Sequence, residues 1–362
     1  MDFRLSAEQD DLRELTNKIL TERVTNDSHK AAAAAEHGLD MGLWKMLADS
    51  GIVGIGLPET VGGGGLGLLE AAVVLEEIGR ATAPVPAFAV LVAGATIAKY
   101  ASADDQKRWL DGVADGDRIV TVALQEAGGD VHAPTATAGD GPNGSKTVTG
   151  EKVCVPAGTA ASTFIVSTTD GLYAVASDAE GVRVQREETT SGIPEAMVTF
   201  AAAPGVRIAG TDGTEWLLDL ATSAECVMMS GVCQRALALT AEYTKQRIQF
   251  DRQIASFQAV SQRAGDSYVN TEGVKLTAWQ AMWRLSEGKP AAEQVASAKF
   301  WASDGGSQVL YAAQHLHGGV GVDRDYPLHR CFLWGKQIEL SLGSTMPSLV
   351  RLGRLIADTP VA

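Results

Sequence analysis

The stretch EWLLDLATSAECVMMSGVCQRALALTAEYTKQR, residues 215–247, runs for more than 30 residues without a proline. That length and the lack of a breaker predict one long helix. The runs from Val274 to Leu285 and from Ala291 to His315 have the same texture, so a bundle of long helices is expected from about residue 211 onward. Upstream the pattern changes. Between about 119 and 208, short segments rich in β-branched residues (IVTVAL, KTVTG, TFIVST, LYAVAS, VRVQ, AMVTF) alternate with Gly, Pro, Asp and Asn, as in a small antiparallel β-domain, a sandwich or a barrel. Further upstream, Ser6 followed by Glu8 and Gln9 opens a helical pattern through Leu12, Leu15, Ile19 and Leu20. Trp44, Leu47 and Ala48 form a second apolar face, and residues 68–80, LLEAAVVLEEIGR, a third that is apolar nearly all round. The order is helical, β, helical. The expected class is α+β, with an N-terminal helical domain over 1–118, a β-domain over 119–210 and a C-terminal four-helix-bundle domain over 211–362.

Bulk properties narrow the function. With 44 acidic and 30 basic residues the formal net charge is -14, and no basic run or aromatic-interleaved basic stripe offers the counterion replacement that nucleic acid requires. The start, MDFRLSAEQDDLREL, has no apolar core of a secretory signal, and no uninterrupted apolar stretch approaches a membrane span, so a cytoplasmic chain is expected. Cys154, Cys226, Cys233 and Cys331 show neither CxxC spacing nor a zinc-like histidine partner, which predicts reduced thiols and no metal site. The glycine-rich GLPETVGGGGLG lacks the GK[ST] ending of a phosphate loop and reads as a connector. Neither His317 nor His329 has a nucleophile partner that would suggest hydrolysis. Trp279, Trp283 and Trp301, at helical spacings, read as core or subunit interface.

Three segments carry more specific text: LWKMLADSGIVGIGLPETVGGGGLGLLEAAVVLEEIGR (43–80), TKQRIQFDRQIASFQAVSQRAGD (244–266) and HLHGGVGVDRDYPLHR (315–330). Physically, Arg247 offers a bidentate fork suited to a diphosphate, Phe250 can cover a flat ring system, and Gly318 with Gly319 lets backbone amides approach an anion. Together and in this order the segments resemble the acyl-CoA dehydrogenase family across nearly the whole chain. The resemblance implies that Arg247, Gln249, Phe250 and Gln258, with the loop His315, Leu316, His317, Gly318 and Gly319, hold the FAD of a neighbouring subunit. The family usually has Gln where this chain has His315, which can still donate a hydrogen bond.

What the resemblance does not find is equally informative. Acyl-CoA dehydrogenation needs a carboxylate to take the α-proton while a hydride leaves for the flavin. The family keeps a glutamate in a segment resembling YEGTSE; here IELSLGSTMPSL puts Leu342 there and Met346 where another carboxylate often follows. The alternative family position, on the first long helix of the C-terminal domain, is Ala221, with Thr222 replacing an adjoining arginine. Glu225, one turn further on, is the candidate for a relocated base, ahead of Asp219 and Glu339. In the β-domain, LQEAGGDVHA and GEKVCVPAGTA depart from the family's flavin-contacting text, with Cys154 at a tryptophan position and Pro156 at a hydroxyl position.

A kept diphosphate clamp beside an eroded pocket and no catalytic residue of its own is similar to the base-lacking β subunit of heterotetrameric α2β2 acyl-CoA dehydrogenases of actinobacterial steroid side-chain degradation. The resemblance implies a catalytic α partner supplying the base, an acyl-CoA substrate bearing a steroid side chain, a 2,3-enoyl-CoA product, FAD completed between subunits, and an electron-transfer flavoprotein as a further partner. A self-sufficient homotetramer using Glu225 and a flavin-free scaffold are the alternatives.

Overall fold

The computed structural model describes residues 3–142 and 145–358; Met1 and Asp2 of the first expected domain and residues 359–362 of the last lie outside it. Six helices come first: α1 (Ala7–Arg23), α2 (Asn26–Ala34), α3 (Met41–Asp49), α4 (Leu68–Ala81), α5 (Ala87–Tyr100) and α6 (Ala103–Leu110). Seven strands follow, β1 (Val120–Ala123), β2 (Thr137–Asp140), β3 (Lys146–Pro156), β4 (Thr163–Thr168), β5 (Gly171–Ala176), β6 (Val182–Glu187) and β7 (Glu195–Ala209). The chain then returns to helix: α7 (Thr211–Gln246), a small hairpin of β8 (Ile248–Gln249) and β9 (Arg252–Gln253), α8 (Gln258–Ser286), α9 (Ala292–His317), α10 (Leu328–Leu340) and α11 (Thr345–Asp358). This is the expected helical, β, helical fold. At the start of α1, Ser6 accepts from the Gln9 amide while the Gln9 side chain accepts from the Ser6 amide, the reciprocal cap that the Ser-x-x-Gln spacing provides.

Two compact units divide the chain, one of Lys30–Ala71 and Pro84–Ala221, the other of Met1–His29, Ala72–Ala83 and Thr222–Ala362. The first unit holds the sheet, in the order β1-β4-β5-β7-β3-β2 with β6 also paired to β7. The expectation of an antiparallel domain needs one correction: β1 and β4 are parallel, in register from Val120–Thr163 to Ala123–Val166, while every other pair is antiparallel. A parallel pair needs a long crossover. The 39 residues from Leu124 to Ser162, which include β2 and β3, provide it. An isolated bridge between Gln125 and Val153 links the end of β1 back towards β3, so the sheet curls on itself.

A buried strut spans that curl. The Lys152 ammonium, inaccessible to solvent, donates to Glu126 Oε1 at 2.6 Å and to Ser167 Oγ at 3.0 Å. Glu126 in turn accepts from the amides of Thr135 and Ala136. Although burial opposes it, the bonds from Lys152, Thr135 and Ala136 hold the Glu126 carboxyl down to about 2. In the same unit the glycine-rich connector spends its amides on its own carbonyls: Gly64 donates to Gly54, Gly65 to Leu57 and Leu66 to Ile55. None of these amides is available as a phosphate cradle.

The second unit is the helical bundle. Helices α4 and α7 cross at Gly79 and Gly231: a methyl on Gly231 would lie 2.0 Å from the Glu76 carbonyl, and one on Gly79 would lie 2.2 Å from that of Met228. Around this contact the buried Glu76 carboxylate accepts from Ser230 Oγ at 2.7 Å, Gln234 Nε2 at 3.0 Å and Trp279 Nε1 at 3.2 Å, which attaches α8 to the crossing. Trp279 and Trp301, expected in the core or at a subunit interface, are half-buried; Trp301 fills the space left by Gly273 and Gly305 between α8 and α9. Helices α8, α10 and α11 all pack on α9. Lys299 of α9 donates to Glu225 Oε2 of α7 at 3.0 Å and to the Ile338 carbonyl of α10, with both charged groups buried.

Helix α7 is long and apolar enough by composition to cross a membrane, contrary to the expectation that no stretch comes close, but 89% of its apolar window is buried within the protein. It reads as a core helix. All four cysteines are free. Burial pushes the Cys226 and Cys331 thiols up to about 12, and Cys233 up as well. Cys154 sits at an irregularity of β3 with φ 52°, and burial followed by the Glu195 and Glu187 carboxylates pushes its thiol up to about 12.

Two stability measurements follow from the buried pairs. Lys299→Met leaves a buried carboxylate unpaired and is expected to cost about 3 to 5 kcal/mol in urea unfolding, most of it recovered in the double variant Lys299→Met, Glu225→Leu. Because the folded Glu126 carboxyl lies below its ordinary 4.5, its contribution is present above about 4.5 and is lost as pH falls towards 2. Glu126→Gln is therefore expected to flatten the acid limb of stability over that window.

Candidate functional site

Three chain segments meet at one end of the bundle. The Tyr243 ring, near the end of α7, stacks on His317 at the end of α9, with centroids 4.4 Å apart. One turn beyond Tyr243, Arg247 is exposed and forms no ion pair with any described residue. The β8–β9 hairpin follows. Its two-residue turn, Phe250 and Asp251, has φ of 53° and 62°, the conformation a primed turn demands and one that favours Gly or Asn. Holding non-glycine residues there costs on the order of 1 to 3 kcal/mol each. The strained turn presents the Phe250 ring, 87% exposed, with Phe257 edge-on at 6.2 Å and the Arg252 guanidinium 4.0 Å above Phe257. Gln249 is exposed and donates locally to the Ile248 carbonyl. Gln258, exposed, is the first residue of α8.

At the end of α9 a 3-10 turn, Gly318–Val322, carries the paired glycines. Gly318 has φ 61° and ψ -137°, a region essentially restricted to glycine, and a methyl on either Gly318 or Gly319 would meet no atom within 4 Å. The backbone here is thus bare and accessible. His315 is exposed and Leu316 half-buried. His317 departs from the expectation of a ligand contact. It is only 3% exposed, its Nδ1 bonds to the Ala313 carbonyl oxygen at 2.8 Å and its Nε2 pairs with the Tyr326 hydroxyl at 3.1 Å. Both ring nitrogens are committed, so His317 positions the loop.

Beside the loop lies an open groove of about 660 Å³, lined by Arg263, Ser267 and Asn270 of α8 and by Gln308, Gln314 and His315 of α9. Gln314, not singled out from the sequence, has a buried Oε1 without a hydrogen-bond partner. It stands next to the position where the family's glutamine is replaced by His315, and that adjacency was the available signal. An exposed guanidinium, an exposed aromatic ring and bare glycine backbone at one bundle end fit the diphosphate and ring of FAD.

The positions where a base would sit carry none. Ala221 is fully buried, Leu342 is 8% exposed with φ 49°, and Met346 points outward. The nearby carboxylates are engaged: Glu225 by Lys299, and Glu339 by Lys336 at 2.6 Å. In the β-domain, the Cys154 amide donates to Glu187 Oε2 and the Pro156 carbonyl accepts from Thr121, so both departures are built into the sheet.

Comparison with known proteins identifies the family. The N-terminal domain model of acyl-CoA dehydrogenases matches residues 6–117, and the C-terminal domain model matches residues 210–346. Acyl-CoA dehydrogenase FadE27 of Mycobacterium tuberculosis is 38% identical over 99% of this chain and 100% of its own length. Among solved structures, a chain of the Tcur3481-Tcur3483 steroid ACAD is 42% identical with a TM-score of 0.93, covering 97% of this chain and 98% of that one. A chain of the ChsE4-ChsE5 complex from Mycobacterium tuberculosis is 37% identical, also with a TM-score of 0.93, and both are covered in full. Matched at both ends of the chain and over its whole length, this protein belongs to the acyl-CoA dehydrogenase family of oxidoreductases.

Proposed function

We propose that the chain is the base-lacking subunit of a paired acyl-CoA dehydrogenase, completing an FAD site whose base and remaining walls come from a second, catalytic subunit. The observation that carries this reading is the pairing of Glu225 with Lys299. The nearest substitute for the lost carboxylates is a buried structural strut, not a free proton acceptor. A base must come within roughly 3 Å of its proton. An anion already held by an ammonium, which also bonds the Ile338 carbonyl, is poorly placed for that task.

Bound FAD would supply the hydride acceptor for forming a 2,3-enoyl-CoA. In this chain Arg247 and the Gly318–Gly319 backbone would hold its diphosphate, Phe250 would cover its ring system, and Gln258 and His315 would hydrogen-bond at its edge. The partner surface is supported by apolar side chains that water would otherwise cover: Tyr268 and Val269 on α8, and Met346, Val350 and Ile356 on α11. The two similar solved chains are described as parts of two-component assemblies, and one of those as a steroid ACAD. A CoA thioester of a steroid side chain is accordingly the substrate class we assign, with an electron-transfer flavoprotein as the natural oxidant of the reduced flavin.

The reading is tested by visible flavin absorbance and by enoyl-CoA formation. The chain alone is expected to purify colourless and inactive, while co-expression with its catalytic partner yields both signals; a yellow, active chain on its own would refute the pairing. Within the co-expressed complex, Arg247→Gln is expected to weaken FAD retention about 10- to 100-fold without dissociating the subunits, as measured by flavin release on dilution.

A further inference from the structure

A second cavity, of about 320 Å³, lies in the helical unit and shares no lining residue with the groove beside the glycine loop. Guanidinium groups reach it from three different helices: Arg80 at the end of α4, Arg235 on α7 and Arg330 on α10. Their local partners are few. Glu77 engages Arg80 at 3.1 Å, with Gln234 at 2.6 Å. Arg330 donates to the Asn26 side-chain oxygen, and Asn26 donates in turn to Asp325 at 2.8 Å. Arg235 has neither a hydrogen bond nor an ion pair with any described residue.

Three guanidinium groups thus line one cavity with a single lining carboxylate, Asp325, while Glu77 holds Arg80 from beside it. His29 is another lining residue. Burial, then Arg330, then His329 drive its ring down to about 4, so it is neutral at ordinary pH. Arg324 and Asp323 add one charge of each sign close by. Setting Arg235, which has no ion pair with any described residue, beside the half-buried Arg330 in one cavity favours an anion that joins them. A flat carboxylate matches one fork, whereas forks converging from three helices suit the several oxygens and near-double charge of a phosphate.

We propose that this cavity binds a phosphate group, free or as the monoester of a small molecule. The bound anion would join the turn between α1 and α2 to the ends of α4 and α7 and to the 325–331 segment. It would also sit directly behind the glycine loop. Asp325 and Pro327 line the cavity, and Tyr326 between them holds His317 Nε2.

The test is thermal unfolding of the full chain, in whatever assembly it purifies, titrated with inorganic phosphate against potassium chloride at matched ionic strength. Anything that binds the native state selectively raises the transition in a saturable way. The expected result is a saturable rise with phosphate that chloride does not reproduce. Arg235 lies on an exposed helix position, so Arg235→Gln should fold normally in chloride, yet need about tenfold more phosphate for the same rise, and Arg235→Lys should recover part of the loss. Glycerol 3-phosphate in a parallel arm separates the sources: saturation at lower concentration than phosphate identifies a monoester site, and no saturation identifies a site for the free ion. Equal effects of phosphate and chloride, or an unchanged phosphate response in Arg235→Gln, would overturn the proposal.

Discussion

The close crossing of α4 and α7 is the constraint on which the helical unit rests. Two glycines let the backbones approach so nearly that any side chain at either would strike a carbonyl. That approach would bury a carboxylate at severe cost were Glu76 not surrounded by the hydroxyl of Ser230, the amide of Gln234 and the indole of Trp279. The last of these draws α8 into register, Trp301 seats α9 against α8, and Lys299 locks α9 to α7 and α10. With the three long helices fixed along their length, their ends are fixed too. The hairpin after α7, the first turn of α8 and the glycine loop after α9 stand at one end because the middle of the bundle allows little sliding.

Local chemistry was legible in the residues, and long-range partnership was not. The proline-free run of α7 announced a single helix, and Ser6 with Gln9 announced how α1 begins, because periodicity and capping act within one or two turns. The parallel pairing of β1 with β4 could not be read, since it depends on where 39 intervening residues return. Glu225 and Lys299 lie 74 positions apart, so a glutamate one turn from a catalytic position looked like a displaced base until its partner was seen. His317 misled for a similar reason. Its motif suggests ligand contact, but Tyr243 and Tyr326, distant and near in sequence, turn it inward. Arg247, Phe250, Gly318 and Gly319 are exposed, and a methyl on either glycine would meet no atom within 4 Å.

The pattern of loss and retention has a physical logic. Where charge chemistry is absent, the replacements serve the fold: Leu342 and Ala221 are packed, and Cys154 occupies a strand irregularity at a positive φ. Where exposed functional groups persist, the backbone around them is kept in conformations that side chains resist. The Phe250–Asp251 turn and the Gly318 cap both hold the backbone at positive φ.

The buried thiols have a chemical consequence for a chain of this family. An α,β-unsaturated thioester is a soft electrophile that adds to thiolates, and any protein beside a source of one is exposed to slow self-alkylation. Only the deprotonated sulfur reacts appreciably. Burial pushes the Cys154, Cys226 and Cys331 thiols up to about 12, which disfavours the thiolate at neutral pH, and Cys226, Cys233 and Cys331 are also shielded from solvent. The fold thereby keeps its sulfur chemistry quiet, with the thiols held protonated inside the protein.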